Sequence, residues 1–213
     1  MHSILSVLMK GLEPTTDIEE GVVNLLNKHG LPEIAGHCVD VGEEAERLAQ
    51  VFEVSPLSAK TAGLLHDIGA VIPNDQRVTI ADELGIEVLP EEERFPLILH
   101  QKLSRVMARE LFRIEDDEIL SAIECHTTLR PGATALDKIV FIADKLKWDQ
   151  NAVPPYMERV KKGLEISLDR GVFDFLSHMW ERRDELAVVH PWLSQAYHEV
   201  NYPGLKSEAC RSL

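Results

Sequence analysis

His66 and Asp67 stand side by side between Gly63 and Gly69, and four more residues of the same chemical kind recur along the chain. His37 lies on an apolar helical face. His100 ends the apolar segment Leu97-Ile98-Leu99. His126 ends Ile123-Glu124-Cys125, and Asp144 follows the almost wholly apolar run Ile139-Val140-Phe141-Ile142-Ala143. A carboxylate in such surroundings is costly unless it is paired or bound to a metal. Asp67 and Asp144 both need a cation, and four imidazoles on helices that pack together are the natural complement. Imidazole and carboxylate without thiolate suit iron, manganese, cobalt, nickel or zinc. Six side chains exceed one tetrahedral site, so two ions sharing one carboxylate is the economical arrangement, with Asp67 as the shared ligand. Two ions roughly 3.5–4 Å apart would clamp a phosphate and lower the pKa of a bound water toward about 7. No serine, cysteine or lysine nucleophile is then needed. Cys38 and Cys125 adjoin ligands but point about 100° away on a helix. His2, His29, His178, His190 and His198 lie in polar or terminal contexts and receive no function.

The elements that must hold these residues read as helices nearly throughout, and the fold class is all-α. Ile34, His37, Val41, Ala45, Leu48 and Phe52 recur at spacings of three and four, which marks one helical face from Pro32 to Phe52. Ser55-Pro56 is an N-cap followed by proline at the first helical position, opening a helix expected to reach about Gly69. A short helix starts at Pro73-Asn74-Asp75 and stops at Gly85. Pro90 and its three glutamates open a long helix expected to reach Phe112, bent near Pro96. Helices are also expected over 116–125, 134–146, 155–170, 172–187 and 191–200. Four parts follow: an N-terminal helical extension (1–30), a metal-binding core (31–150), C-terminal helices packing on that core (151–202) and a frayed, disordered tail (203–213). Phe173, Phe175, Met179 and Trp180 are apolar contributors to the C-terminal part, which either closes the domain or forms a homodimer face.

Composition bounds the partners. The chain has 213 residues with 36 acidic and 22 basic side chains, a formal charge of −14. That charge disfavours a long nucleic acid or an anionic membrane surface, both of which need clustered lysine and arginine. No signal segment or apolar run of about 18 residues is present, so a cytoplasmic protein is expected. Cys38, Cys125 and Cys210 are far apart and read as free thiols. The charge also opposes small phosphorylated ligands unless cations are added. Two divalent ions would add about +4 where the phosphate sits, so nucleotides should bind poorly without metal.

In order along the chain, His37, His66-Asp67 and Asp144 resemble the signature of the HD superfamily of metal-dependent phosphohydrolases, and His100 and His126 resemble its two-metal branch. The strongest blocks are Lys60-Thr61-Ala62-Gly63-Leu64-Leu65-His66-Asp67 and the stretch from Asp117 through His126-Thr127-Thr128 to Asp144. The likeness spans about residues 35 to 145 and leans toward bacterial HD hydrolases that split diadenosine tetraphosphate symmetrically. It implies an HD-domain helical bundle with additional C-terminal helices. It implies one ion on His37, His66, Asp67 and Asp144, and a second on His100 and His126, with Asp67 between them. His66 and Asp67 would be the catalytic pair. The implied reaction is attack of a metal-bound hydroxide on phosphorus in a small nucleotide, yielding two nucleoside diphosphates. Iron is the first expectation for both metals. Two alternatives are a nucleotide-binding or regulatory protein with little turnover, and a hydrolase of nucleoside monophosphates or cyclic nucleotides.

The chain departs from that subgroup where cations usually stand. It has Ile34-Ala35-Gly36 before the first histidine, Ala70 after the HD pair, Leu129 after the threonines and Lys147-Trp148-Asp149-Gln150 after the last aspartate. Lys60, Arg130, Lys145 and Lys147 are the cations that could replace the missing ones, and Thr127 joins Lys60, Arg130 and Lys145 as the expected substrate-binding set. Trp148 is read as a core or interface residue, with stacking on a base as its alternative role.

Overall fold

A computed structural model describes residues 2–13, 15–147 and 153–200. Trp148, Cys210 and the expected tail lie outside the described residues. Among those described, the chain is helical with no strand. The helices are α1 (Ser3–Leu8), α2 (Ile18–Lys28), α3 (Pro32–Val51), α4 (Pro56–Leu65), α5 (Arg77–Glu83), α6 (Pro90–Arg94), α7 (His100–Leu111), α8 (Asp117–Cys125), α9 (Ala135–Leu146), α10 (Met157–Ile166), α11 (Leu168–Glu181) and α12 (Pro191–Glu199). None of them is long and apolar enough to cross a membrane.

The central helices are set by local chemistry. Ser55 caps α4 by accepting from the Ser58 N–H at 3.3 Å, with Pro56 in the first helical position. Thr134 and Asp137 cap α9 reciprocally: the Thr134 hydroxyl oxygen accepts from the Asp137 N–H, and the Asp137 carboxylate accepts from the Thr134 N–H. Each such cap satisfies an amide that the helix leaves unpaired. Helix α9 is buried along most of its length, from Leu136 to Ala143, and packs against α3, α4, α8 and α11. Helices α3 and α4 pack against each other most closely where Gly63 meets Gly42. A Cβ on Gly63 would stand 2.8 Å from the Gly42 Cα and 2.9 Å from the Val41 carbonyl oxygen.

Three expectations are corrected. Helix α4 stops at Leu65, and a 3-10 turn over Ile68–Val71 follows, so His66 and Asp67 occupy a helix end rather than a helix interior. The long helix from Pro90 is three pieces: α6, a 3-10 turn over Pro96–Leu99, and α7. Phe95 precedes a proline, which disfavours the α region, and it takes φ −136°, ψ 74°. The helix expected over 155–170 ends at Ile166 because Ser167 is extended and caps α11 through the Arg170 N–H at 3.1 Å. Helix α11 therefore starts four residues before the expected 172.

Candidate metal centre

Each of the six residues sits where a helix begins, ends or faces the core. His37 is in the second turn of α3. His66 and Asp67 follow α4, His100 opens α7, His126 follows α8, and Asp144 is in the last turn of α9. Helix ends let a ring turn back onto its own last turn. The Nδ1 atoms of His66, His100 and His126 lie 2.6, 2.6 and 2.8 Å from the carbonyl oxygens of Gly63, Leu97 and Ile123, each three residues earlier. His37 does the same through the chain's fold, with Nδ1 3.2 Å from the Lys147 carbonyl oxygen. A carbonyl can only accept, so the proton of each neutral ring is on Nδ1 and each Nε2 offers a lone pair. This is how metal-binding imidazoles are held and their tautomer chosen.

The four Nε2 atoms converge on the two carboxylates. His37 Nε2 is 3.1 Å from Asp144 Oδ1. His66 Nε2 is 3.5 Å from Asp67 Oδ2 and 3.7 Å from Asp144 Oδ1. His100 and His126 Nε2 are 3.1 and 3.3 Å from Asp67 Oδ1. The groups His37/His66/Asp67, His66/His126/Asp144 and Asp67/His100/His126 each have their ligand atoms within 4.8 Å of one another. Asp67 belongs to two of these groups.

A cation fits this arrangement and little else does. His66 Nε2 is fully buried with no hydrogen-bond partner. An orphaned buried polar atom of this kind costs about 1–3 kcal/mol. Protonation does not rescue it, because burial pushes the His66 imidazolium down to about 4, with Asp67 pulling the other way. Burial likewise lowers His126. The Lys145 ammonium holds the Asp144 carboxyl below the usual carboxylate range, against burial. The centre is therefore two carboxylates facing neutral imidazole lone pairs, a donor set suited to divalent metal.

Supporting residues were not evident from the sequence. The Gly69 N–H donates to the Ser104 hydroxyl at 2.8 Å, and a Cβ on Gly69 would stand 2.5 Å from the His100 carbonyl oxygen. Glycine there lets α7 approach the HD pair. Arg77 donates at 2.8 Å to the Leu97 carbonyl that also holds His100. Buried Gln101 accepts from the Thr127 N–H and donates to the Thr128 hydroxyl. Thr127 Oγ1 lies 3.1 Å from both His100 Nε2 and His126 Nε2.

The expected substrate cations separate. Lys145 is buried at the cluster, and its ammonium donates to the Asp144 carboxylate and the His126 carbonyl. The Lys60 ammonium pairs with Glu19 and Glu46 at 3.4 and 3.9 Å, away from the cluster. Arg130 donates to Asp137 at 3.0 Å and braces the start of α9. His190, read above as polar, is buried, caps α12 and lies 3.3 Å from buried Glu92.

The HD-domain family pattern matches residues 34–149, which contain all six residues. The chain belongs to the HD-domain family. An uncharacterized protein in the pepC 5' region of Lactococcus lactis subsp. cremoris is 50% identical over 147 residues, 69% of this chain and 74% of its own length. The symmetrical bis(5'-nucleosyl)-tetraphosphatase of Halalkalibacterium halodurans is 30% identical over 142 residues, 66% of this chain and 73% of its own. The crystal structure of a predicted HD superfamily hydrolase involved in NAD metabolism, from Clostridium acetobutylicum, matches with a TM-score of 0.77. It is 25% identical, and the match covers 85% of this chain and 95% of that one. The chain is thus an HD-domain hydrolase of the phosphohydrolase kind.

Proposed function

We propose that this HD domain holds two divalent cations, iron first among them, and hydrolyses a nucleotide phosphoanhydride. Symmetrical cleavage of diadenosine tetraphosphate into two nucleoside diphosphates is the leading reaction. The observation that carries the reading is the convergence of four imidazole lone pairs on Asp67 and Asp144, with His66 Nε2 buried and unpartnered. The name of the Halalkalibacterium halodurans relative supports the substrate.

His37, His66, Asp67 and Asp144 would hold one cation, and His100 and His126 the other, with Asp67 shared. Such a pair supplies positive charge against phosphate oxygens and makes water a nucleophile near neutral pH. The chain's own residues do the rest. The four carbonyls at Gly63, Leu97, Ile123 and Lys147 keep the Nδ1 protons in place and the rings turned inward. The Lys145 ammonium, already donating to Asp144 and the His126 carbonyl, has one N–H left for a phosphate oxygen. The Thr127 hydroxyl sits beside both ring nitrogens and can donate to the same group.

The test is a nucleotide panel with manganese or ferrous iron, read by chromatography. Diadenosine tetraphosphate should yield adenosine diphosphate as sole product, and Asp67→Ala should abolish it. Adenosine mono- and triphosphate together would overturn symmetrical cleavage. A thermal shift with no product would favour a nucleotide-binding protein without turnover.

A further inference from the structure

A second feature adjoins the cluster. On the other side of Thr127 and Lys145 lies a cavity of about 420 Å³. Phe95 and Ile98, from the turn before α7, form one part of its wall. Tyr156 and Phe175 form another, ring centroids 4.8 Å apart and edge to face. Met179, Leu186, Val188 and Leu193 line the rest. Thr127 and Lys145 belong both to this wall and to the metal cluster. A group lodged in the cavity could therefore be joined through a short linkage to a phosphate at the cluster.

We propose that this cavity is the subsite for one nucleoside of the substrate, a proposal that rests on the nucleotide reading above. Small-ligand pockets run from about 300 to 1,000 Å³ and are mostly apolar with a few placed polar groups. The volume is ample for one nucleoside. Beyond Thr127 and Lys145, which face the cluster, the polar side chains of the wall are already engaged. The Tyr156 hydroxyl donates to the Lys145 carbonyl at 3.2 Å, Thr128 is tied to Gln101, His190 to Glu92 and Glu185 to Arg182. The base is accordingly recognised by shape and apolar contact rather than by a hydrogen-bonding code. Adenine and guanine nucleotides should bind within about tenfold of each other, because sharp discrimination needs a buried polar partner that the wrong base leaves unpaired. The wall is also fixed in place. Glu92, wholly buried, holds Lys102 at 2.8 Å and His190 at 3.3 Å, which anchors the segment carrying Val188 to α6 and α7.

Calorimetry on the manganese-loaded chain separates the subsite from the metal centre. Three probes are used: adenosine diphosphate, inorganic diphosphate and adenosine. The wild type should bind adenosine diphosphate at least about tenfold tighter than inorganic diphosphate, the margin that burying a base contributes. Val188→Trp and Met179→Trp, which fill the cavity from two different elements, should bring the two affinities together and remove the weak binding of adenosine. Equal affinities in the wild type would overturn the proposal, as would a preference that survives in both variants. Loss of diphosphate binding with adenosine binding intact would instead sink the metal reading and leave the cavity assignment standing.

Discussion

The Nε2 atoms of His100 and His126 lie 2.9 Å apart. Both rings already donate their Nδ1 protons to carbonyl oxygens three residues back, so two lone pairs face one another with Asp67 Oδ1 3.1 and 3.3 Å away. Three acceptors at this spacing repel unless something positive sits among them. The arrangement is held by helix ends rather than by the contact itself, so it is preorganised for a cation.

Gly69→Ala tests that preorganisation. The added Cβ would meet the His100 carbonyl oxygen at 2.5 Å and the Ser104 nitrogen at 2.9 Å, and backbone atoms cannot yield cheaply. The variant should lose about 1–3 kcal/mol of stability in denaturant unfolding. It should also lose metal, because His100 is displaced. Gly36→Ala, one residue before His37, meets nothing within 4 Å in the interior of α3 and should be neutral or slightly stabilising.

Lys145→Met removes the ammonium that pairs with Asp144 while keeping the side chain's length over the rings of Phe141 and Phe175. Steady-state kinetics should show kcat/KM lowered about 10- to 100-fold, the loss of one charge-assisted contact to a phosphate in a dry site. Kinetics equal to the wild type would remove Lys145 from the reaction.

The metal-free chain should be acid-sensitive. His66 titrates near about 4 when folded, because burial disfavours its charge, and near about 6.5 when unfolded. Between those values only the unfolded state takes the proton. His66 therefore contributes its full stability above about pH 6.5 and loses it as pH falls toward 4. From pH 7.5 to 5 the loss is on the order of 2 kcal/mol, with His126 shifted the same way. The lowered carboxyl of Asp144 acts in the same direction at lower pH. A melting temperature that stays flat from pH 7.5 to 5 would contradict the burial of these rings.

Cys38 and Cys125 are buried, and burial pushes both thiols well above their ordinary range, with Asp67 adding to the effect on Cys38 and Asp137 on Cys125. Peptide mapping after iodoacetamide at pH 8 should find both unmodified in the native chain and both modified in guanidinium. Labelling of Cys38 in the native state would mean that the core beside the metal centre opens readily.

The six cluster residues were legible because each breaks an apolar pattern with a group that burial penalises. The bounds of α8 and α9 were legible to within a residue. What was hidden depends on contacts remote in sequence. The apolar spacing continues through Pro90–Leu111, so periodicity carries the eye past Phe95, where the chain breaks and sets His100 at the start of α7. Lys60 stands in the strongest block before His66-Asp67, yet its partner Glu19 comes from α2. Arg77 follows a polar run that reads as surface, while its guanidinium fixes the Leu97 carbonyl. Gln101 has no signal beyond its place next to His100.

Metal content decides the central claim most directly. The chain, purified without chelator and reconstituted with ferrous iron or manganese, should carry about two ions per chain by elemental analysis. His126→Ala should lower this to about one, and Asp67→Ala below one, because Asp67 would serve both. Fewer than about 0.1 ion per wild-type chain after reconstitution would contradict the account, since a metal centre with four imidazoles and two carboxylates cannot stay that empty at neutral pH.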